Sequence, residues 1–232
     1  PVRGRRQVPW RGGTSNDHVA AALGEAGGIL IGGTAWTMTG KAVAPGALDL
    51  LVIDEAGQFS LANTLAVTRA TSRLLLLGDP QQLPQVSQGT HPQPVAVSVL
   101  GWLSQHASVL PAHLGYFLAR TWRMHPALCE AVSHLAYAGR LHPAPVTARR
   151  HLEGAPPGVE CRYVAHSGNT TSSEEEAREV LAQVRAHLGL PWRESASSPL
   201  RPLGQQDVLV VAPYNAQVQL IKDTLAAAGL DQ

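Results

Sequence analysis

Two hydrophobic patterns alternate along the chain. The first is a short run of consecutive apolar residues bounded by glycine, proline or polar residues, which is typical of a strand buried on both faces of a parallel sheet. Runs of this kind predict strands at residues 29–32, 48–53, 73–77 and 208–211, and a further strand is expected near residues 159–164.

The second pattern places apolar residues three and four positions apart, as on one face of a helix. Pro126 suits the first turn of such a helix, and Gly139 is placed to end it. Ser173 and Glu176 form a capping box ahead of a longer helix, for which Gly189 is the stop. Further helices are predicted at residues 17–25, 60–70, 95–104 and 216–227.

Buried strands and helices alternate without a repeat, which predicts an α/β fold with two parallel units rather than one barrel. Residues 114–118 extend toward the junction between the units. We expect a first domain over residues 1–115 and a second over residues 116–232. Apart from the strand at 159–164, residues 143–173 are predicted to be irregular, and residues 191–206 are predicted to be a loop.

Composition places the chain among folded proteins, since 44% of its 232 residues are hydrophobic and 15% are charged. The net charge of +1 does not indicate nucleic-acid binding by bulk charge, so any such site must be a local groove. Arginines cluster near the start of the chain, but the glycines beside them favour a mobile solvated tail. These arginines are Arg3, Arg5, Arg6 and Arg11.

Cysteine usage and hydropathy bear on location. Cys129 and Cys161 are the only cysteines and lie far apart in sequence, so neither a disulfide framework nor a metal site is indicated. A reducing compartment follows, and we expect the protein to be cytoplasmic. No apolar run reaches the roughly 18 residues of a transmembrane helix, so no membrane partner is expected.

Candidate chemistry lies where two apolar runs end in carboxylates. Residues 50–58 read LLVIDEAGQ, and residues 78–84 read GDPQQLP. Parallel buried strands deliver such groups to the carboxyl edge of a sheet. Asp54 is suited to hold Mg²⁺, Glu55 to act as general base on a water that attacks a γ-phosphate, and Gln82 to sense the phosphate. The two segments together predict an ATP hydrolysis site.

Two other interpretations fit part of this pattern. Asp54 and Glu55 could simply begin a helix, because carboxylates stabilise a helix N-terminus. Asp54 and Gly57 also fit the aspartate–glycine element of GTPases. Against this second interpretation, the sequence has no Asn-Lys-x-Asp element for guanine, and GDPQQLP has no GTPase counterpart.

Four ordered motifs resemble those of superfamily 1 helicases, in the branch that includes the nonsense-mediated-decay helicase and its DNA-acting relatives. DEAGQ at residues 54–58 and GDPQQLP at residues 78–84 match motifs II and III of that branch. RTWRMHP at residues 120–126 resembles its QYRMHP segment, and VLVVAPYNAQ at residues 208–217 resembles its strand ending in TPYxxQ.

The resemblance implies parts of two RecA-like P-loop NTPase domains, with ATP and Mg²⁺ held between them. It implies that Asp54, Gln58 and Asp79 contact the nucleotide or its metal ion. It also implies that Glu55 and Gln82 take part in catalysis.

For the second domain, the resemblance implies that Arg123 is an arginine finger for the γ-phosphate. The alternative is a surface arginine paired with a carboxylate. Trp122 would stack near the adenine, or it would pack at the cleft. Buried packing is favoured, because it is the more common use of a large aromatic side chain.

Contacts with single-stranded nucleic acid are also implied. Gly33 and Thr34 follow the first predicted strand and would meet the nucleic-acid backbone, although they could equally form a turn. Tyr214 and Gln217 would contact the strand by stacking and hydrogen bonding, or would cap the following helix. Contacts of this kind carry little sequence specificity.

One expected element is missing from the sequence. No GxxxxGK[ST] loop occurs, and the nearest stretch, AWTMTGKA at residues 35–42, lacks the first glycine and the terminal hydroxyl. We interpret its Lys41 as an ordinary loop cation. Because motifs V and VI are missing too, we expect a fragment of a longer polypeptide that supplies these elements; a fused nuclease domain is left open.

The combined prediction is a fragment of an ATP-dependent superfamily 1 helicase or translocase that acts on single-stranded DNA or RNA, with DNA favoured, and that is inactive in isolation. The alternative is a degenerate helicase-like domain that serves as a docking module for nucleic acid or protein. An unrelated P-loop enzyme is disfavoured, because no guanine-binding or acceptor-binding motif is found.

Overall fold

The computed structural model describes residues 12, 15–83, 89, 91–105, 107–195 and 197–230. The chain divides into two compact units, Pro1–Phe117 and Leu118–Gln232. Both units contain helices and parallel strand pairs, as the α/β prediction requires.

The first unit is built around one parallel pair of strands with helices beside it. Strand β1 (Leu51–Ile53) pairs in parallel with strand β2 (Leu74–Leu76), so that Leu51 lies opposite Leu74 and Ile53 opposite Leu76. The elements, in chain order, are α1 (Asn16–Gly24), α2 (Ala35–Thr39), β1 (Leu51–Ile53), α3 (Leu61–Thr68), β2 (Leu74–Leu76) and α4 (Val99–Ser104).

Serine N-caps set the starts of two helices in this unit. The Ser60 hydroxyl accepts a hydrogen bond from the Asn63 amide at α3, and the Ser98 hydroxyl accepts one from the Gly101 amide at α4. The helices then close over the sheet, and the buried core consists of Met38, Leu51, Ile53, Ala56, Val67, Val99 and Leu100.

The second unit begins with a strand, helix and parallel strand. Its elements are β3 (Arg120–Thr121), α5 (Pro126–Ala136), β4 (His142–Pro143), β5 (His151–Leu152), α6 (Glu174–His187), β6 (Pro191–Arg193), β7 (Arg201–Pro202) and α7 (Asn215–Ala227), with 3₁₀ helices at Pro145–Arg149 and Gln205–Asp207. Strands β3 and β4 pair in parallel, with α5 as the crossover between them.

The predicted starts and ends of two helices are confirmed, but the capping box is only half formed, because the Ser173 amide donates to Gln217 and not to Glu176. Pro126 is in the first turn of α5, and Gly139, with φ +74°, donates its amide to the Ser133 carbonyl beyond the end of that helix. The Ser173 hydroxyl accepts from the Glu176 amide at the start of α6, and Gly189 follows that helix with φ +82°. The helices predicted at 17–25, 60–70, 95–104 and 216–227 are present, the third only from Val99 onward.

Several strand predictions are wrong. Residues 29–32, 159–164 and 208–211 lie within the described ranges, but none of them pairs in a sheet there. An apolar run shows that a segment suits a strand, whereas pairing also requires a neighbouring strand in register, which local sequence does not specify.

The predicted loop at residues 191–206 is also wrong, because it contains β6 and β7 of an antiparallel sheet with order β5-β6-β7. The Arg201 guanidinium binds the Asp207 carboxylate through two hydrogen bonds of 2.5 and 2.7 Å, and the Gly204 amide donates to the same carboxylate. These contacts, led by the Arg201 hydrogen bonds, lower the pKa of Asp207 to about 2.

Other sequence expectations fall outside the described residues or concern absences. Arg3, Arg5, Arg6 and Arg11 lie outside the described ranges, as does Pro84 of GDPQQLP. None of the helices in the described ranges has the length and hydropathy needed to cross a bilayer.

Candidate functional site

The acid loop, residues 54–58, is a turn that leaves β1 at its carboxyl end. The Asp54 carboxylate accepts a hydrogen bond of 3.0 Å from the Glu55 amide through Oδ1, and the Gln58 amide donates to the Glu55 carbonyl at 2.8 Å. Glu55 adopts a left-handed backbone conformation with φ +53°. Both carboxylates are exposed at the edge of the sheet.

The sensor loop, residues 78–83, leaves the neighbouring strand β2 at the same edge. Backbone hydrogen bonds continue past the strands and join the two loops: the Leu77 amide donates to the Ile53 carbonyl, and the Ala56 amide donates to the Leu77 carbonyl. Within the sensor loop, the Asp79 carboxylate accepts from the Gln81 amide at 2.9 Å. The parallel pairing thus brings the two loops together, as the sequence predicted.

Two glycines allow the loops to approach each other at backbone distance. A Cβ atom added to Gly57 would lie 1.9 Å from the Asp79 carbonyl oxygen. A Cβ atom added to Gly78, whose φ is +154°, would lie 2.7 Å from the Ala56 nitrogen. No larger residue fits at either position without moving one loop away from the other.

Side-chain amides complete the connection between the loops. The Gln58 Nε2 donates to the Gln82 Oε1 at 3.3 Å. The side chains of these two glutamines, both predicted from the sequence as site residues, are therefore in contact. The adjacent Gln81 donates to the carbonyls of Ala107 and Ser108, which anchors the sensor loop to a separate part of the first unit.

The donor set at this edge fits a magnesium ion brought in by a nucleotide. Asp54 Oδ2 and both oxygens of Glu55 have no hydrogen-bond partner among the described residues. Within those residues, no three histidine, cysteine or acidic side chains form a cluster that could hold a metal by themselves. Mg²⁺ is commonly held by one or two carboxylates together with substrate phosphates and waters, so two carboxylates are sufficient.

The arginine loop, residues 121–125, follows β3 in the second unit. The Arg123 amide donates to the Thr121 hydroxyl at 3.2 Å, while the Arg123 side chain is exposed and has no partner in the described part of the chain. The structure therefore gives no support to the alternative that Arg123 pairs with a carboxylate. Trp122 is 65% exposed, so the interpretation of Trp122 as a buried packing residue is wrong.

A second arginine, which the sequence analysis missed, lies against this loop. Arg150 donates through Nη2 to the Trp122 carbonyl at 3.1 Å and through Nη1 to the Arg123 carbonyl. No sequence pattern connects Arg150 with a loop 27 residues earlier.

Gly33 and Thr34 form the start of helix α2. The Thr34 hydroxyl caps this helix by accepting from the Thr37 amide at 3.4 Å, and Gly33 is close to the Thr37 side chain. Both residues are exposed. The turn interpretation therefore describes their local structure, and their exposure leaves them accessible.

Tyr214 and Gln217 differ in accessibility although both were expected to contact nucleic acid. Tyr214 precedes α7, is 52% exposed, and makes no capping hydrogen bond. Gln217 is only 5% exposed, and its amide accepts from the Ser173 amide at 2.6 Å and donates to the Ser173 carbonyl at 3.2 Å. The polar atoms of Gln217 are buried in contacts between α7 and the start of α6. The prediction that Gln217 contacts nucleic acid is therefore wrong, and we assign it a structural role.

Comparison with known proteins identifies the family of this chain. A family model described as "AAA domain" matches residues 97–232. The chain belongs to this AAA domain family. A second model, also described as "AAA domain", matches residues 10–98 of the same AAA chain. The predicted RecA-like α/β fold is confirmed by these matches.

A curated relative covers much of the chain. The chain is 27% identical over 197 residues to "DNA-binding protein SMUBP-2" of Rattus norvegicus. The alignment covers 77% of this chain and 19% of the relative, so the AAA chain spans about a fifth of the relative's length. With the two AAA matches, this similarity confirms the resemblance to superfamily 1 helicases that the four motifs indicated.

Proposed function

We propose that this AAA chain is the part of an ATP-dependent superfamily 1 helicase or translocase that contributes motifs II and III and the arginine loop, and that it acts on single-stranded DNA in preference to RNA. The observation that carries the proposal is the contact between the acid loop and the sensor loop at the carboxyl edge of β1 and β2. The family match and the DNA-binding relative support it.

In the first unit, the proposed roles of Asp54, Glu55 and Gln82 follow from polar atoms without a partner among the described residues. Asp54 would bind Mg²⁺ through its unpartnered oxygen, and Glu55 would take a proton from the attacking water. Gln58 donates to the oxygen of the Gln82 amide, which leaves the Gln82 NH₂ group free to donate to a γ-phosphate oxygen. Asp79 would contact the nucleotide beside Gln82.

In the second unit, Arg123 would donate to the γ-phosphate as charge develops on it. Its guanidinium is exposed and has no partner in the described part of the chain, which supports this role. Trp122 has an exposed ring that can stack on adenine. When bound with ATP, Mg²⁺ would neutralise charge on the β- and γ-phosphates.

The nucleic-acid contacts are proposed for three residues. Exposed Gly33 and Thr34 can admit a phosphate to the backbone at the start of α2, and exposed Tyr214 can stack on a base. Gln217 is not part of this set.

The chain alone is proposed to be inactive in hydrolysis, because its sequence contains no GxxxxGK[ST] loop to hold the β- and γ-phosphates. A longer polypeptide would supply that loop and motifs V and VI. Cys129 and Cys161 are both free thiols, which supports a cytoplasmic location.

The test uses the longest natural polypeptide that carries this sequence. Replacing Glu55→Gln should lower magnesium-dependent ATP turnover by about 100-fold or more while ATP binding is retained, since a general base contributes rate rather than affinity. Glu130→Gln, on the exposed face of α5, is the matched control and should keep the parent rate. Equal turnover in the Glu55→Gln and parent proteins would refute the proposal.

The same preparation distinguishes a helicase or translocase from the alternative, a docking module. A helicase or translocase should hydrolyse ATP faster when single-stranded DNA is added, and less so with RNA of the same length. Binding to DNA without any magnesium-dependent ATP hydrolysis would instead favour the docking module. Stronger stimulation by RNA would overturn the preference for DNA.

A further inference from the structure

Arg150 joins two neighbouring peptide groups of the arginine loop through one guanidinium. Its Nη2 binds the Trp122 carbonyl at 3.1 Å, and its Nη1 binds the Arg123 carbonyl. A guanidinium holds its donors in a rigid planar fork, and hydrogen bonds from a charged donor are stronger than neutral ones. Two consecutive carbonyls on one fork leave the backbone of this loop little freedom to rotate.

The position of Arg150 is itself fixed by the end of β4. The Ala144 amide donates to the Thr121 carbonyl at 2.8 Å, and the buried Thr147 hydroxyl donates to the Ala144 carbonyl at 2.8 Å. The Arg150 amide then donates to the Thr147 carbonyl at 3.2 Å. A continuous series of hydrogen bonds therefore leads from β3 through Pro145–Arg149 and back to the arginine loop.

Residue 123 is held on both sides of its Cα atom. Its amide donates to the Thr121 hydroxyl, and its carbonyl accepts from Arg150. The Arg123 side chain has no partner of its own in the described residues. The backbone contacts are therefore what determines the direction in which this side chain leaves the loop.

We propose that Arg150 is a positioning residue for Arg123. This inference rests on the proposed function, because it needs Arg123 to act on the nucleotide. Among the described residues, the Arg150 side chain binds only main-chain carbonyls of the loop, so the proposed role does not require it to touch the nucleotide. Its contribution is to fix the backbone from which the Arg123 guanidinium reaches the γ-phosphate.

The activity test is a double-mutant cycle in the longest natural polypeptide that carries this sequence. Arg150→Ala should lower kcat for ATP hydrolysis by about 10- to 100-fold with little change in KM, because misplacement of a catalytic group by about 1 Å has effects of this size. In an Arg123→Ala background, Arg150→Ala should lower kcat no further, since it acts through Arg123. Arg150→Lys, which cannot reproduce the planar fork, should fall between the parent and Arg150→Ala.

The neighbouring Arg149 provides the control. It is exposed, and its side chain makes no bond within the described residues, so Arg149→Ala should keep the parent kcat. If Arg123→Ala itself leaves turnover unchanged, the proposed role of Arg123 fails, and the positioning role fails with it. If Arg123→Ala impairs turnover but Arg150→Ala does not, only the positioning role is overturned. Additive losses in the double variant would also overturn it.

A second measurement does not depend on activity. In the chain itself, hydrogen exchange of the amides at residues 121–125 should become about 10-fold faster or more in Arg150→Ala and remain unchanged in Arg149→Ala. Unchanged exchange in Arg150→Ala would refute the proposed hold on the loop even if the longer protein hydrolyses no ATP.

Discussion

The acid and sensor loops of the first unit and the arginine loop of the second unit differ in their closest contacts, although the side chains of Gln58 and Gln81 also hold the first two loops. Gly57 and Gly78 let two backbones meet directly in the first unit. In the second unit, the side chain of Arg150 reaches the backbone of a loop that follows another strand. Gln217 shows the same kind of hold elsewhere in that unit, because its side chain binds the backbone of Ser173.

This difference has consequences for mutation. Where backbones meet, the limiting property is the absence of a side chain, so almost any substitution at the two glycines forces the loops apart. Where a side chain makes the contact, it can be shortened without a clash, and the loss is limited to its own hydrogen bonds. Gly57 and Gly78 should therefore respond to added atoms, and Arg150 to removed ones.

The largest effect is expected for Gly57→Ala. The added Cβ would lie 1.9 Å from the Asp79 carbonyl oxygen, so the loops must separate, and we expect unfolding of the first unit to become easier by about 3 kcal/mol. Urea denaturation measures this change. Gly24→Ala is the control, because its Cβ would have no neighbour within 4 Å. Similar stabilities for the two variants would show that the loops can give way, which would break the comparison.

A smaller loss is expected for Gln217→Met, which keeps the length of the side chain but removes both hydrogen bonds to Ser173. Leaving the buried Ser173 amide without an acceptor should cost about 1 to 3 kcal/mol, while the Ser173 carbonyl still accepts from the Ala177 amide. The control is Gln219→Met on the same helix, whose amide binds only the exposed Asp223 carboxylate. If the two methionine variants unfold at the same denaturant concentration, the structural role of Gln217 is refuted.

The ion pair of Arg201 and Asp207 predicts a dependence of stability on pH. The folded pKa of Asp207, about 2, is below the usual value of 3.8, so the folded state favours the charged carboxylate. This stabilisation is complete above about pH 4 and is lost as the pH falls toward 2. Thermal melts of the parent and Asp207→Asn should therefore differ at pH 6 and converge toward pH 2.5. A difference independent of pH would contradict the assignment.

The prediction that disturbs the second unit least concerns the rates at which its two thiols are labelled. Cys129 on α5 is fully buried, and burial raises the pKa of its thiol, whereas Cys161 is exposed. We expect an aromatic disulfide reagent to modify Cys161 at least about 100-fold faster than Cys129 in the native chain. Cys161→Ser should leave only the slow reaction. Fast labelling of Cys129 would mean that α5 opens readily and that side-chain contacts hold this unit weakly.

Sequence alone identified the features that depend on neighbouring residues. The acids at 54 and 55 follow directly from the apolar run before them, and the ends of α5 and α6 follow from Pro126, Ser173 and Gly189. Each of these signals lies within a few residues of the structure that it predicts, so no knowledge of the fold was needed.

Features that depend on distant residues were not predictable. The close approach of Gly57 to Asp79 depends on the register between β1 and β2, and the contact of Arg150 depends on the return of the chain after α5. The apolar run at 208–211 indicated a strand, but nothing local indicated a partner for it. Strands β6 and β7 were missed because they are short and contain prolines, which seldom occur in sheets.

The left-handed backbone at Glu55 sets the need for a carboxylate at this position against the stability of the fold. A side chain in that conformation costs about 1 kcal/mol relative to glycine. The substitution Glu55→Gly should therefore raise the free energy of unfolding while it removes the carboxylate. If variants of this protein are selected for heat resistance alone, we expect glycine to replace glutamate at position 55. Retention of glutamate there would require simultaneous selection for turnover.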